Sequence, residues 1–416
     1  MTAVADLADA AWLKHGEVTR LLAVLDRDGE EARVVGGAIR NALLRLPVGE
    51  IDVATTALPP EVVRRVEAAG WKAVPTGIAH GTITVVIDSK PFEVTTLRRD
   101  VETFGRRAKV VFGRDWTADA MRRDFTINGL SASADGEIYD YVGGLADLAA
   151  HRVRFIGDAA QRIAEDFLRI MRFFRFHAWY GESAPDAAGL HACIGARAGL
   201  AMLSRERVRM ELLKLVLAPH ATPVLAVMTE TGLLGSVLGG VPLLASFENM
   251  VKVEAASTTA ADPVRRLGAL GVAVKEDAER LAQRLRLSNA ETERLVALER
   301  WWRVSPAAGE QAGHALLYDL GPPSFVDRVL VAWSRSPAGA AAQAWRDLAS
   351  LPQRWTAPVF PLKAADFVGR GVGAGPALGA ALRSAKEAWI AADFPSDRAA
   401  IEAIAERAAE QSAAAR

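Results

Sequence analysis

Apolar and polar residues alternate over residues 48–55, and this period of two predicts a β-strand. On such a strand Glu50 and Asp52 project from one face, while Ile51 and Val53 project from the other face into a core. Two carboxylates two residues apart form a compact set of oxygen ligands, the type that Mg²⁺ prefers. The pattern therefore predicts an acidic strand that binds a metal ion.

A second pattern precedes this strand. Residues 33–35 are short and rich in β-branched side chains, and they end at Gly36 and Gly37. Residues 38–46 contain helix-forming side chains, and Pro47 ends the predicted helix before it. Paired glycines expose bare backbone N–H groups at the start of a helix, which favours phosphate binding. A phosphate cradle beside a metal-binding strand indicates nucleotidyl transfer.

Two amphipathic helices are predicted around these elements, one over residues 10–25 and one over residues 58–69. Residues 98–107 have few apolar side chains and predict a mobile loop. Beyond residue 217 the pattern predicts short helices separated by Gly and Pro, with no strand.

Strands are predicted over residues 72–75, 82–87 and 92–97. Glu93 shares a face of the last of these strands with a threonine, so it is either a third carboxylate of the metal site or an exposed strand residue.

Residues 162–176 predict one helix with two distinct faces. An apolar stripe that includes Leu168, Met171 and Phe174 runs along one side. Polar residues recur at every third position, which on an arbitrary helix would indicate a salt-bridged face. Here the apolar surroundings at residues 173–176 indicate that the arginines need a partner. The polar stripe comprises Asp166, Arg169, Arg172 and Arg175.

A nucleobase could supply that partner. Cytosine and adenine each offer an amino donor beside a ring-nitrogen acceptor, whereas uracil and guanine offer the reverse order. A carboxylate acceptor beside an arginine donor suits C and A, and it leaves polar groups unpaired with U or G. Each unpaired buried group costs roughly 1–3 kcal/mol, which is enough for useful rejection of the wrong base.

Composition limits the classes of protein that this sequence can represent. Half of its 416 residues are hydrophobic, which predicts a globular protein with more than one domain. Lys+Arg and Asp+Glu number 50 each, so binding of nucleic acid must use local patches. The single cysteine, Cys193, excludes an intramolecular disulfide and is interpreted as a small buried hydrophobe. A cytoplasmic location is predicted, since no signal-peptide pattern or membrane-length apolar run is found.

Several motifs together resemble a known family. The GGxxR pattern at residues 36–40, followed ten residues later by acid-x-acid at residues 50–52, resembles the signature of polymerase-β-like nucleotidyltransferases. Residues 122–128, RRDFTIN, are similar to the RRD motif of the class II bacterial CCA-adding tRNA nucleotidyltransferase and poly(A) polymerase family. Residues 165–169, EDFLR, are similar to its EDxLR motif. Residues 74–82, VPTGIAHGT, resemble the CCA-adding form, where poly(A) polymerases carry a basic sequence.

The resemblance is dense over residues 31–215 and weaker beyond them. It implies an α+β fold, in which a polymerase-β-like head with a small sheet and helices precedes an all-α neck, body and tail. A glycine-rich turn at residues 371–379 could hold a tRNA backbone phosphate, and close helix–helix packing is the alternative. The expected divisions are a catalytic head over residues 1–150, a base-recognising neck over 151–217, a body over 218–350 and a tRNA-contacting tail over 351–416.

The family's activity implies template-independent addition of CCA to the 3′ end of tRNA from CTP and ATP, with Mg²⁺ as cofactor and release of pyrophosphate. The acceptor arm and elbow of tRNA are the expected partners, no membrane is involved, and the expected state is a monomer or weak dimer. The resemblance makes Asp52, Glu50 and Glu93 the expected catalytic residues, with Glu50 and Asp52 as metal ligands. The expected nucleotide-binding residues are Gly36, Gly37, Arg40, Arg122, Arg123, Asp124, Asn128, Asp166, Arg169, Arg172 and Arg175, and Asp166 and Arg169 would read the base.

Two positions depart from the family pattern. Position 41 is usually Asp and is Asn here, and the metal pair is usually Asp-x-Asp but begins with Glu50 here. Mg²⁺ demands near-ideal octahedral geometry, so the extra methylene of Glu50 matters. Three alternatives to a CCA-adding enzyme stay open. One is a poly(A) polymerase, which residues 74–82 argue against, and another is an enzyme that adds only CC or only A. The third is a catalytically impaired RNA-binding relative, which Glu50 suggests.

Overall fold

The chain divides into two compact units, Met1–Val237 and Leu238–Arg416. Within the described residues the first unit combines strands and helices, and the second contains only helices. This confirms the predicted α+β class with an all-helical remainder, whereas the finer divisions at residues 150, 217 and 350 stay predictions. The structure, a computed structural model, describes residues 7–14, 16–104, 107–337 and 342–414.

A seven-stranded sheet lies at the centre of the first unit. The strands in the described residues are β1 (Ala32–Val35), β2 (Asp52–Thr55), β3 (Lys72–Gly77), β4 (Thr82–Ile87), β5 (Lys90–Thr96), β6 (Arg98–Phe104), β7 (Arg107–Phe112), β8 (Ser131–Ala132) and β9 (Ile138–Tyr139). The order in the large sheet is β3-β4-β5-β2-β1-β8-β9, and β6 pairs with β7 in a separate hairpin. Strand β2 is antiparallel to β1 and parallel to β5. The three strands predicted between residues 72 and 97 are confirmed.

Helices pack on this sheet and continue beyond it. The helices of the first unit are α1 (Ala11–Lys14), α2 (Glu17–Leu25), α3 (Gly37–Leu43), α4 (Pro59–Ala68), α5 (Trp116–Met121), α6 (Gly144–Ala149), α7 (Ala159–Glu165), α8 (Leu168–Tyr180), α9 (Ala187–Gly195), α10 (Arg205–Val216) and α11 (Ala221–Glu230). Strand β4 buries alternate residues, Ile83, Val85 and Ile87, as period-two patterning requires. Cys193 is fully buried in α9, and burial raises the pKa of its thiol. This confirms the interpretation of Cys193 as a small buried hydrophobe.

The acidic strand is shorter than predicted. Strand β2 begins at Asp52, so the prediction of a strand over residues 48–55 is wrong for its first half, and Glu50 lies in the preceding loop. Helix α3 also ends early, at Leu43, and Arg45 takes a left-handed conformation with φ 56°. A left-handed residue redirects the chain before the strand can begin. The alternation that would put both acids on one strand face therefore does not apply.

Three other predicted elements were wrong. In the segment over residues 98–107, predicted as a mobile loop, the described residues 98–104 and 107 belong to the paired strands β6 and β7, because backbone pairing does not need many apolar side chains. The helix predicted over residues 10–25 is divided into α1 and α2 at Gly16, whose φ is 109°. The helix predicted over residues 162–176 is divided between α7 and α8, since Asp166 takes an extended conformation with φ −155° and ψ 107°. This break changes where the polar side chains of the segment point.

The second unit is built from helices. They are α12 (Leu233–Leu238) at the boundary, α13 (Leu244–Ala256), α14 (Pro263–Gly271), α15 (Lys275–Leu285), α16 (Asn289–Val296), α17 (Glu310–Ser334, kinked at Gly321), α18 (Ala342–Ala349), α19 (Leu351–Arg354), α20 (Ala364–Val368), α21 (Pro376–Ala391) and α22 (Arg398–Ala414). In the glycine-rich turn, Gly371 and Gly375 have positive φ, and an added Cβ would meet nothing within 4 Å. Close packing therefore does not explain these glycines.

None of the helices in the described part of the chain combines the length and apolar character needed to cross a bilayer.

Buried ion pairs connect four helices of this unit. Glu254 of α13 accepts hydrogen bonds from Arg265 and Arg266 of α14, at 2.9 and 2.8 Å. Asp327 of α17 accepts from Arg265 at 2.9 Å and from Arg294 of α16 at 2.7 Å. Burial opposes the charge on Arg294, but its carboxylate partners outweigh that cost and raise the pKa of the guanidinium. Removal of one member would leave its partners charged and uncompensated in a buried place.

Replacement of Asp327 by asparagine should therefore destabilise the protein strongly. We expect the free energy of unfolding to fall by about 3–5 kcal/mol, because Arg265 and Arg294 would lose a buried counter-ion. Urea unfolding followed by circular dichroism measures this change. The matched control is Glu402→Gln, which breaks an exposed pair with Arg398 and should cost about 0.5 kcal/mol or less. Equal effects of the two substitutions would contradict the assigned role of the buried cluster.

Candidate active site

The glycine turn predicted as a phosphate cradle begins α3. Gly36 caps the helix with φ 73°, and its N–H donates to the carbonyl of Leu130 at 3.0 Å. A Cβ at position 36 would lie 3.3 Å from Nη1 of Arg123. Bare backbone and a guanidinium therefore lie next to each other at the N-terminal end of α3. This combination suits an anionic group.

Two carboxylates lie side by side on neighbouring strands. Asp52 and Glu93 are register partners in the parallel pair formed by β2 and β5. Partial desolvation, followed by the negative charges of Glu93 and Glu50, raises the pKa of Asp52, while the positive charge of Arg123 opposes the shift. The structure thus brings together the three acids predicted as catalytic, although Glu50 approaches from a loop. Arg123 is the cation that faces them.

The donor set can be compared with what a magnesium ion needs. In the described part of the chain, no group of three or more His, Cys, Asp or Glu side chains is close enough to hold a metal by itself. Mg²⁺ in phosphoryl-transfer sites is usually held by one or two carboxylates, with substrate phosphates and water completing the shell. Asp52 with Glu50 or Glu93 matches that kind of partial site. A divalent cation would also relieve the repulsion that raises the pKa of Asp52.

The two arginines of the RRD motif are held by an acid that the sequence interpretation missed. Asp119 is buried in α5 and accepts hydrogen bonds from Nε of Arg122 at 2.8 Å and Nη2 of Arg123 at 3.1 Å. Burial alone would raise the pKa of Asp119, but the two guanidinium charges outweigh it and leave the pKa lowered. Asp119 lies three and four residues before the arginines, and that spacing was a usable signal.

Asp124 lies at the centre of a buried hydrogen-bond network. Its Oδ2 accepts from Nε and Nη2 of Arg172 at 2.7 and 2.6 Å, and its Oδ1 accepts from Asn128 at 3.0 Å. Desolvation opposes ionisation, but the charge of Arg172 and these hydrogen bonds lower the pKa of Asp124. Asn128 in turn accepts a hydrogen bond from Nη1 of Arg40. Asp124, predicted to hold a ribose hydroxyl, therefore also connects the sheet to α8.

Arg40 is buried and already surrounded by partners. Its guanidinium lies 4.1 Å from the ring centroid of Tyr180 and donates to Oδ1 of Asn41 at 2.9 Å. Burial, helped by the charge of Arg175, lowers the pKa of Arg40. These contacts join α3 to α8. The predicted role of Arg40 as a triphosphate ligand stays a prediction.

The predicted base-reading pair lies at the break between α7 and α8. Asp166 accepts from Nη1 and Nη2 of Arg207 at 3.2 and 2.5 Å, and from the backbone N–H of Leu168 at 3.1 Å. Arg169 instead contacts Glu165 and donates to the carbonyl of Arg162 at 2.7 Å. Asp166 and Arg169 are therefore near neighbours that pair with different residues. The break that separates α7 from α8 gives each side chain its own direction.

The remaining arginines of α8 lie against an aromatic ring. Arg172 and Arg175 are 5.2 and 4.2 Å from the ring centroid of Phe176. Arg175 donates to Glu211 of α10 at 2.5 Å, and Glu211 also lies 3.8 Å from Arg172. Glu211 is a buried partner that was not among the predicted site residues. The arginine stripe is thus neutralised by acids from other elements.

Arg162 joins the two halves of the site. Its Nη2 donates to the backbone carbonyls of Met121 and Arg123 at 2.8 and 2.7 Å, and its Nη1 donates to Glu165. Glu165 also contacts Arg169. A chain of polar contacts thus runs from the arginine that faces the acidic edge of the sheet to the start of α8. The predicted catalytic and base-reading residues belong to one connected site in the first unit.

Asn41 holds the loop that leads to the acidic strand, and an Asn41→Asp variant tests this. Its Nδ2 donates to the carbonyl of Pro47 at 3.0 Å, while its Oδ1 accepts from Arg40. Aspartate cannot donate, so the variant would lose this hydrogen bond and place an anionic oxygen near that carbonyl, at a cost of about 0.5–1.5 kcal/mol. We expect faster hydrogen exchange of residues 44–51 by mass spectrometry.

A matched control exists in the second unit. Nδ2 of Asn249 donates to the carbonyl of Ser334, also at 3.0 Å. Asn249→Asp should leave exchange of residues 44–51 unchanged. If Asn41→Asp also leaves it unchanged, the loop is not held by this amide.

Comparisons with known proteins agree with this geometry. Residues 32–154 match the family described as "Poly A polymerase head domain", and residues 190–247 match the one described as "Probable RNA and SrmB- binding site of polymerase A". The CCA-adding enzyme of Leuconostoc citreum is 40% identical over 217 residues, which are 51% of this chain and 52% of that protein. A solved structure of the Bacillus stearothermophilus CCA-adding enzyme in complex with CTP superposes with a TM-score of 0.77 at 27% identity, and the match covers 96% of this chain and 98% of that one.

A full-length relative decides the family. The mitochondrial CCA tRNA nucleotidyltransferase 1 of Danio rerio is 34% identical over 380 residues, and the match covers 89% of this chain and 85% of that protein. The acidic edge of the sheet lies within the head-domain match at residues 32–154, whereas the arginine stripe of α8 lies between the two matched ranges. This chain therefore belongs to the CCA tRNA nucleotidyltransferase family.

Proposed function

We propose that this protein adds CCA to the 3′ end of tRNA, using CTP and ATP and releasing pyrophosphate. The observation that carries the proposal is the set formed by Asp52, Glu93, Arg123 and the Gly36 turn, in a chain that matches a CCA tRNA nucleotidyltransferase over 89% of its length. Acids beside an anion-binding turn are what transfer of a nucleotidyl group requires. No nucleic-acid template is involved, because side chains select the base.

The acidic edge would hold Mg²⁺, with Asp52 and Glu50 as ligands and Glu93 as a further carboxylate. The metal, when bound, would supply charge stabilisation for attack of the tRNA 3′-hydroxyl on the α-phosphate of the nucleotide. The residues themselves have a separate task. Gly36, Gly37 and Arg123 would position the triphosphate, because the turn has no side chain beside the Arg123 guanidinium at the start of α3.

The remaining predicted nucleotide ligands would act around the triphosphate and the sugar. Arg122 would neutralise phosphate charge together with Arg123, since Asp119 holds both guanidinium groups in place. Asp124 and Asn128 would lie near the ribose, where a carboxylate can accept from the 2′-hydroxyl that distinguishes RNA precursors from DNA precursors. Arg40 would orient Asn128, to which it donates a hydrogen bond.

Selection of C and A would come from Asp166 and Arg169. Arg207 orients Asp166 as an acceptor, and Glu165 orients Arg169 as a donor. An acceptor beside a donor matches the amino group and ring nitrogen of C and A. Arg172 and Arg175 would line the same pocket, each oriented by a carboxylate of its own.

Poly(A) synthesis has less support than CCA addition. A poly(A) polymerase shares the head-domain family, but the relatives that match this chain most fully are named for CCA addition. Addition of only CC or only A, and impaired activity because of Glu50, are outcomes that a tRNA extension assay separates. We further propose that the protein acts in the cytoplasm as a monomer or weak dimer, with the acceptor arm and elbow of tRNA as its partner.

The assay uses tRNA transcripts that end before the CCA sequence, with Mg²⁺ and with CTP and ATP singly and together. We expect two C residues and then one A to be added, and long A tracts on arbitrary RNA would contradict the proposal. Asp52→Asn should lower kcat by about 100-fold or more, because metal-assisted charge stabilisation is worth several kcal/mol. Asp88→Asn, in an exposed hairpin turn, is the matched control and should retain activity.

Base selection can be tested separately. Asp166→Asn should reduce the preference for CTP over UTP in kcat/KM by about 5- to 150-fold, because asparagine can also donate to the uracil carbonyl. The control is Asp158→Asn, which changes the cap of α7 without touching the proposed base site. An unchanged preference in Asp166→Asn would exclude Asp166 as the base reader. Glu50→Asp and Glu50→Ala measured together decide whether Glu50 is a ligand, since activity that is unchanged in both variants would remove it from the site.

A further inference from the structure

A cavity of about 240 Å³ lies in the second unit, and none of its lining residues belongs to the site described above. It is formed by residues 300–308, by both halves of α17 and by one residue of α18. A water molecule takes about 30 Å³ in the liquid, so the cavity has room for a small organic group rather than a single ion. Its lining comprises Arg300, Arg303, Val304, Ser305, Ala308, Ala312, Gly313, Leu316, Arg328 and Leu348.

Three arginines reach this cavity, and their charges are not balanced locally. Arg300, which is left-handed with φ 63°, precedes a 3₁₀ turn that ends at Arg303, and both residues line the cavity. Within the part of the chain that the structure describes, the Arg303 side chain has no hydrogen-bond or ion-pair partner. Arg300 has a long contact with Glu299, at 3.6 Å. Positive charge therefore predominates at the cavity.

Arg328 is the most informative of the three. It is half-buried, and its Nε donates to the backbone carbonyl of Ala297. Among the described residues, no carboxylate lies within ion-pair distance of it. Burial lowers the pKa of Arg328, and the charge of Arg300 adds to this shift, while the more distant carboxylates of Glu299 and Asp319 oppose it without reversing it. A half-buried guanidinium without a counter-ion is costly unless an anion joins it.

The cavity lining also has an apolar part, its apolar wall, to which Val304, Leu316 and Leu348 contribute together with small alanines. A ligand that suits this lining carries an anion together with a flat or apolar group. Guanidinium groups bind phosphate bidentately and stack on nucleobases, which favours a phosphate attached to a nucleoside.

We propose that this cavity binds a nucleoside phosphate unit, through Arg303 and Arg328 on the phosphate and the apolar wall on the nucleoside. The unit could belong to an RNA strand or to a free mononucleotide, since both present the same chemistry. The proposal rests on the cavity alone and holds whether or not the chain adds CCA.

Two binding measurements on the full-length protein test the proposal and distinguish the two sources. In the first, calorimetric titration with CMP and AMP should show a binding event that the double variant Arg303→Gln/Arg328→Gln loses, while binding of CTP in the first unit is retained. Ala312→Glu keeps all three arginines but supplies an internal carboxylate, so it should weaken the same event without removing any cation. Arg407→Gln, an exposed arginine of α22, is the matched control and should change nothing.

In the second, affinity for a tRNA transcript is measured against salt concentration. If the source is RNA, the double variant should bind about tenfold more weakly, and the slope of log K against log[salt] should decrease by about one per lost phosphate contact. If the double variant loses binding of CMP and AMP but not of tRNA, the natural ligand of the cavity is a free nucleotide. If it loses affinity for tRNA but not for CMP and AMP, the ligand is a phosphate of the RNA strand. If neither measurement separates the variants from Arg407→Gln, the proposal is overturned. Neither readout depends on nucleotide addition, so failure of the proposed activity would be visible separately.

Discussion

The repulsion between two adjacent carboxylates is the constraint on which the rest of the first unit depends. Parallel pairing of β2 with β5 places Asp52 in register with Glu93, and burial, followed by the like charge of Glu93, raises the pKa of Asp52. One cation, Arg123, faces this edge. Its guanidinium is fixed by Asp119 and its backbone carbonyl by Arg162. Asp119 and Arg162 thus fix the position of Arg123, and the acidic edge can still bind a divalent cation.

The arginine stripe shows the same principle in a different form. Each arginine near α8 has a carboxylate from another segment: Asp124 for Arg172, and Glu211 for Arg175. Exchange of one charged partner for another changes the free energy of such a pair little, whereas a buried charge without any partner would cost several kcal/mol. Asp166 and Arg207 form a similar pair at the helix break. Under the proposed function, an incoming base would compete for donors and acceptors that are already oriented, so discrimination would rest on hydrogen-bond direction rather than on charge.

Local patterns predicted the parts of the site that lie on contiguous residues. The glycine turn, the RRD motif and the acidic residue at the start of β2 depend on short-range geometry that the sequence displays directly. The position of Glu50 was not predictable in the same way, because a left-handed Arg45 shortens α3 and leaves Glu50 outside the strand. Glu211 was missed since it is an ordinary helix acid until the packing of α10 on α8 brings it to Arg175. Asp119 was missed although its spacing to Arg122 and Arg123 is a local signal. The helix break at Asp166 was missed because its residues have good helical periodicity, and tertiary contact with Arg207 outweighs that preference.

Equal numbers of acids and bases conceal an uneven distribution of available charge. In the second unit, the charges of Arg265 and Arg294 are neutralised by ion pairs with a buried carboxylate, so these arginines do not attract a polyanion. Arg303 and Arg328 have no such partners among the described residues, although they belong to the same helical unit. Affinity for phosphate is therefore decided by which arginines lack a carboxylate partner, and not by net charge. A chain of zero formal charge can bind an anionic ligand strongly wherever its fold leaves guanidinium groups unneutralised beside a cavity.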